Sequence, residues 1–200
     1  MTRNQRVRIG GWGALVAALA APVLIAVVLG GSGPIAARAA MPSVLWIETA
    51  RLTGLLVAVI GVDPLLDSLD PRLARLARFA GIVGALLGLG AVLSIVASAP
   101  MDPLLLSVPA QVALAAWFAF GGIAFSRHEG GRHTLGLSGQ FGAASLLFAA
   151  GGALLPSDPL SADSISPAEY ATVLAVFSLV YLVRLWRFAT FGRLPASGLI

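Results

Sequence analysis

The chain has 200 residues, 58% of them hydrophobic and 11% charged, with a mean hydropathy of +0.92, a net charge of +4 and no cysteine. Soluble domains carry about 25% charged residues, so this composition excludes an ordinary water-soluble domain, and the lack of cysteine excludes disulfides, thiolate catalysis and Cys-ligated metals. All thirteen basic residues are arginine and fall mainly in the links between apolar runs, which is the pattern of membrane topology rather than of a nucleic-acid surface.

Apolar runs of about 18 residues or more read as membrane-spanning helices, because about 20 residues at 1.5 Å rise cross the hydrocarbon. The sequence predicts an all-α bundle of six spans, over residues 10–31, 43–62, 79–99, 106–125, 134–155 and 167–186, in one transmembrane domain. The first span follows "MTRNQRVR" and precedes "AARAAM", which also suits a signal peptide cut near Ala39. Its 20 apolar residues from Gly10 to Leu29 exceed the 7–15 of a signal h-region, so an uncleaved span is the expectation.

The second span contains Glu48 and Arg51, three residues apart and therefore on one helix face. Counted from Arg51 by steps of three and four, the same side carries Gly54, Ala58 and Gly61, so the charges should point into the bundle as a pair. Two readings stay open: a structural clamp near the outer face, or a polar cavity for a substrate or a partner helix. Intramembrane ionisable groups are functional candidates because an unpaired one is costly. Between the second and third spans, "VDPLLDSLDP" at 62–71 reads as a link rich in turn residues. Arg72, Arg75 and Arg78 then alternate with Leu73, Leu76 and Phe79, which suits a positive-inside anchor or a surface for anionic headgroups.

The third span, "GIVGALLGLGAVL", places Gly81, Gly84 and Gly88 at small-residue spacing. Such faces let helix backbones approach closely, either within the chain or in a homo-oligomer. "ASAPMDPLLLSVPAQ" at 97–111 and "ALLPSDPLSADSISPAE" at 153–169 share P-x-D-P-L, a polar link and P-A-(Q/E), so spans 3–4 and 5–6 form a parallel two-span hairpin repeat. Pro opens a helix well, and Ser166 is a good N-cap before Pro167. Together the third-span glycines, "PMDP" and a fourth span ending in "FSR" resemble a prokaryotic six-helix membrane family of unknown function related to DRAM-like membrane proteins. The resemblance covers residues 79–127 and implies six spans with the same orientation. It carries over no site residue, since the Ser-acidic-Leu-Gly motif after the first span and a His opening the fourth are both missing here.

"RHEGGRH" at 127–133 holds two histidines and a glutamate, but Gly130 and Gly131 between them argue for a solvated loop over a metal site. The fifth span carries Gln140 as its strongly polar residue, beside the small residues Gly139, Gly142, Ala143 and Ser145. No histidine lies within spans two to six, which argues against haem, and intramembrane serines have no base in reach. No enzyme activity, cofactor or metal is expected. Eleven of the thirteen arginines fall on one side of the six-span scheme, with Arg38 opposite, so both termini are expected in the cytoplasm and the chain in the cytoplasmic membrane. The expected function is a non-enzymatic interaction or assembly protein, with membrane lipids, a homo-oligomer or another membrane protein as partner and no nucleic acid. The alternative is a small transporter whose path is lined by Glu48, Arg51 and Gln140.

Overall fold

Helix α1 (Arg3–Gly30) starts at a reciprocal cap. Thr2 Oγ1 accepts from the Gln5 backbone N–H at 3.3 Å, and Gln5 Oε1 accepts from the Thr2 N–H at 2.9 Å, so two donors left over by the helix start satisfy each other's side chains. A computed structural model describes residues 1–30, 34–98, 102–127, 131–154 and 167–191. Within them the chain is all-helical: α2 (Pro34–Leu69), α3 (Pro71–Val96), α4 (Leu104–Ser126), α5 (Gly131–Leu154) and α6 (Pro167–Phe191) follow α1. Four of these, α1 to α4, are long and apolar enough to cross a membrane. The second copy of the P-x-D-P-L link, Ser166, residues 128–130 of the histidine-bearing segment and Arg193 lie outside the described residues, as does the side chain of Arg38.

The expected link at 62–71 is not a link along its whole length. Helix α2 runs through Pro64 to Leu69, and the chain breaks only at Asp70. Pro64 has no N–H to offer the carbonyl one turn earlier, but the neighbouring polar groups are occupied. Asp63 Oδ2 accepts from Arg78 Nη1 at 2.8 Å, Arg3 Nη2 donates to the Pro64 carbonyl at 2.6 Å, and Ser68 Oγ donates to the Leu65 carbonyl at 2.7 Å. The break itself is well made. Asp70 is extended, with φ −152° and ψ 102°, its Oδ1 accepts from the Arg72 and Leu73 N–H groups at 3.0 and 3.1 Å, and Pro71 occupies the first helical position. Proline suits that position because its missing N–H would have no partner there. At the other end of α3, Ser98 is left-handed with φ 49°, and its N–H reaches back to the Ile95 carbonyl at 3.1 Å.

Each helix packs on the next, α6 returns to α1, and α2 also touches α4 across the middle. The centre is aromatic: Trp117 and Phe118 of α4 meet Tyr181 of α6, with ring centroids 4.7 to 6.2 Å apart. Glycine sets the closest approaches. On α1 and α2, Gly13 faces Gly54, where a Cβ on either would lie within 2.7 Å of the other's carbonyl oxygen, and Ala14, Ala17 and Ala58 are fully buried beside them. On α4 and α5, a Cβ on Gly122 would lie 2.8 Å from the Gly136 carbonyl oxygen and 2.9 Å from the Gln140 nitrogen. In lipid, where apolar surface gains nothing by burial, such close packing is what holds helices together.

Candidate functional site

Glu48 and Arg51 form a bidentate ion pair within α2. Arg51 Nε donates to Glu48 Oε2 at 2.7 Å and Arg51 Nη2 to Glu48 Oε1 at 2.5 Å. Fork-to-fork geometry of this kind is the strong form of a carboxylate–guanidinium contact. The side chains keep 24% and 23% of their surface, Arg51 and Glu48 respectively, so the pair is neither sealed in the core nor free. Helical spacing puts it at the end of the stripe Leu52, Leu55, Val59, Val62 and Leu66, all buried. Gly54, Ala58 and Gly61, on the adjoining side, are buried against α1. Thr49 contributes no free hydroxyl, since its Oγ1 donates to the Leu45 carbonyl at 2.7 Å.

Gln140 is not part of this site. It is exposed on α5, and its Nε2 lies 3.4 Å from Ser126 Oγ at the end of α4. Ser126 precedes Arg127, whose Nη1 donates to Asp70 Oδ2 at 2.8 Å. Glu48 lies 22 residues before Asp70 along α2, or about 33 Å at 1.5 Å per residue. The three polar residues of the sequence reading therefore divide between opposite ends of the bundle, two at one and Gln140 at the other.

Gly81, Gly84 and Gly88 are all used within the chain. A Cβ on Gly81 would lie 2.5 Å from Val59 Cγ2, one on Gly88 2.7 Å from Leu52 Cδ2, and one on Gly84 2.8 Å from Leu114. The first two receive α2 and the third receives α4, which leaves these three positions no free face for a second copy. Gly139 and Gly142 in turn receive Tyr181 and Phe118. Ser145 Oγ donates to the Phe141 and Gly142 carbonyls at 3.0 and 2.9 Å.

The Gln140 end also gathers the arginines. Besides Arg78–Asp63 and Arg127–Asp70, Arg184 Nη1 donates to the Thr134 carbonyl at 2.9 Å. His133 Nδ1 donates to the Ser126 carbonyl at 3.1 Å. Asp70 is held below the usual carboxylate range, chiefly by the Leu73 N–H, then by the Arg72 N–H and by the charges of Arg127 and Arg72. Sequence reading missed one further polar residue, Gln111 on α4, whose buried Oε1 has no hydrogen-bond partner, as is also true of Trp186 Nε1 and Thr190 Oγ1. P-A-Q at 109–111 reads as helix-start chemistry in the sequence, but α4 begins at Leu104 and carries Pro109 inside it, so Gln111 lies within the helix.

No family model, curated protein or solved structure matches the chain.

Proposed function

We propose that this is a six-span protein of the cytoplasmic membrane with both termini in the cytoplasm, working by contact with another membrane component rather than by catalysis. The observation that carries this reading is the separation of Gln140 from the mutually paired Glu48 and Arg51. A carrier needs polar groups that converge on one site near the midplane, whereas here the two charges bond to each other and Gln140 lies at the arginine-rich end. The glycine faces of α3 are consumed in folding, while a further set of large apolar side chains remains exposed. On α3, Phe79, Leu86 and Leu93 recur every seven residues as one exposed stripe. The six helices run alternately, so the positive-inside rule applied to the arginine-bearing end places that end in the cytoplasm. In this scheme α3–α4 and α5–α6 are the two copies of a parallel hairpin repeat.

The lack of cysteine makes the test clean. Single cysteines at positions 79, 86, 93, 112 and 141, each carrying a photo-crosslinker in native membranes, should give an adduct of one discrete mass at neighbouring positions on a single face. Adducts to lipid alone at every position, together with loss of a solute-uptake phenotype on substitution of Arg51, would replace the contact reading with the transporter.

A further inference from the structure

Two cavities on the outer surface of α1 join end to end. One, of about 340 Å³, lies near the start of the helix and is lined by Met1, Gln5, Arg8, Ile9 and Trp12. The other, of about 520 Å³, continues from the same Ile9 and Trp12 into the groove between α1 and α2, over Gly13, Val16, Thr53 and Val57. At the groove the Gly13–Gly54 contact draws the two backbones together, with Val16 and Val57 beside it.

The two halves differ in chemistry. In the first, Arg8 is exposed and its side chain forms no hydrogen bond or ion pair among the described residues; the same holds for Arg6 and Arg187, but of the three Arg8 alone lines the cavity. Gln5 spends its Oε1 on the Thr2 cap, which leaves its amide N–H groups to donate outward. No carboxylate lines this part. The second half is apolar, and α1 extends it with Val16, Leu19 and Val23, each about half exposed. Trp12, 49% exposed, stands at the junction, where an amphipathic ring suits the boundary between headgroups and acyl chains.

We propose that this composite groove binds one anionic phospholipid, its phosphate on Arg8 and the Gln5 amide and one acyl chain between α1 and α2 beneath Trp12. Charge complementarity selects this occupant. A partner helix would fill the apolar groove but leave Arg8 unanswered, and a zwitterionic lipid would bring its own cation to a cleft that already holds one.

The test uses the full chain in nanodiscs containing equal phosphatidylglycerol and phosphatidylcholine, with lipids retained on the protein measured by native mass spectrometry. One retained phosphatidylglycerol is expected. Arg8→Gln should lower the retained ratio of anionic to zwitterionic lipid about fivefold, the effect of roughly 1 kcal/mol per surface arginine, while Arg72→Gln on α3, which lines neither cavity, leaves it unchanged. Thr53→Trp, which fills the groove from a lipid-facing position, should abolish retention of either lipid. Equal effects of Arg8→Gln and Arg72→Gln would reduce the binding to a general surface charge and overturn the site. Retention unchanged by Thr53→Trp, or a dimer mass that disappears with Thr53→Trp in place of a lipid adduct, would do the same.

Discussion

Gly10 and Gly61 meet backbone to backbone across the α1–α2 crossing. A Cβ on Gly10 would lie 2.7 Å from the Gly61 carbonyl carbon, and one on Gly61 would press on the Gly10 main chain and lie 2.7 Å from the Arg6 carbonyl oxygen. Backbone cannot rotate aside as a side chain can, so even a methyl group must push the helices apart.

Gly61→Ala is therefore expected to destabilise the protein by about 1–3 kcal/mol, the usual range for overpacking. Gly151→Ala is the control. Nothing lies within 4 Å of its added Cβ, and removing a helical glycine should leave stability unchanged or raise it by about 0.5–1 kcal/mol. Thermal unfolding in detergent reads both. An equal response at the two positions would mean that α1 and α2 do not cross at these glycines.

How far the sequence discloses this packing differs from helix to helix. The small face of the second span was legible because Gly54, Ala58 and Gly61 recur at helical spacing beside a charged residue that cannot face lipid. Its partner face on α1 was not, because Gly10 and Gly13, which face α2, are mixed at the start of an apolar run with Gly11, which faces α6. The extension of α2 through Pro64 was hidden for a physical reason. Proline and aspartate signal a turn in water, whereas here Arg3 and Arg78 from elsewhere in the fold occupy the acceptors of that turn. The helices and the gathering of arginines at one end needed only the alternation of apolar runs with arginine-bearing links along the chain. The separation of Gln140 from Arg51 needed the register between helices, which no single segment encodes.

Asp70 gives a pH-dependence whose sign is fixed. Its folded-state pKa is depressed, first by the Leu73 N–H and then by the Arg72 N–H and the nearby arginine charges. The stabilisation is therefore complete above the unfolded value of about 3.9 and is lost as pH falls through the lower folded value. Asp70→Asn keeps a competent N-cap but has no charge to lose. The stability advantage of the unaltered protein over Asp70→Asn should be constant from pH 7 to about pH 5 and shrink below about pH 4. An advantage that persists unchanged at pH 3 would show that the carboxylate charge contributes nothing at this cap.

The arginine distribution gives a second expectation, independent of stability. Reporter fusions at residues 8, 70, 130 and 195 should read as cytoplasmic, and those at residues 103 and 162 as external. An external reading at 70 or 130 would remove one of the spans and with it the proposed orientation.

The last prediction concerns Glu48 and Arg51, whose two hydrogen bonds of 2.7 and 2.5 Å make each the other's partner. Glu48→Gln strands a guanidinium in a helix apolar enough to cross the membrane, and Arg51→Gln strands a carboxylate there. Each single substitution should lower stability, because breaking a pair leaves an uncompensated charge. The double substitution removes both charges and should recover much of the loss. Because each side chain keeps about a quarter of its surface exposed, the coupling expected from a double-mutant cycle in bicelles is about 0.5–2 kcal/mol rather than the value for a sealed pair. Recovery of stability with the cellular phenotype intact identifies a clamp that holds the end of α2. Recovery of stability with the phenotype still lost assigns the charges to a ligand or partner. Additive losses with no coupling would mean that the two side chains do not pair in the membrane, and the arrangement of this face of α2 would then be different.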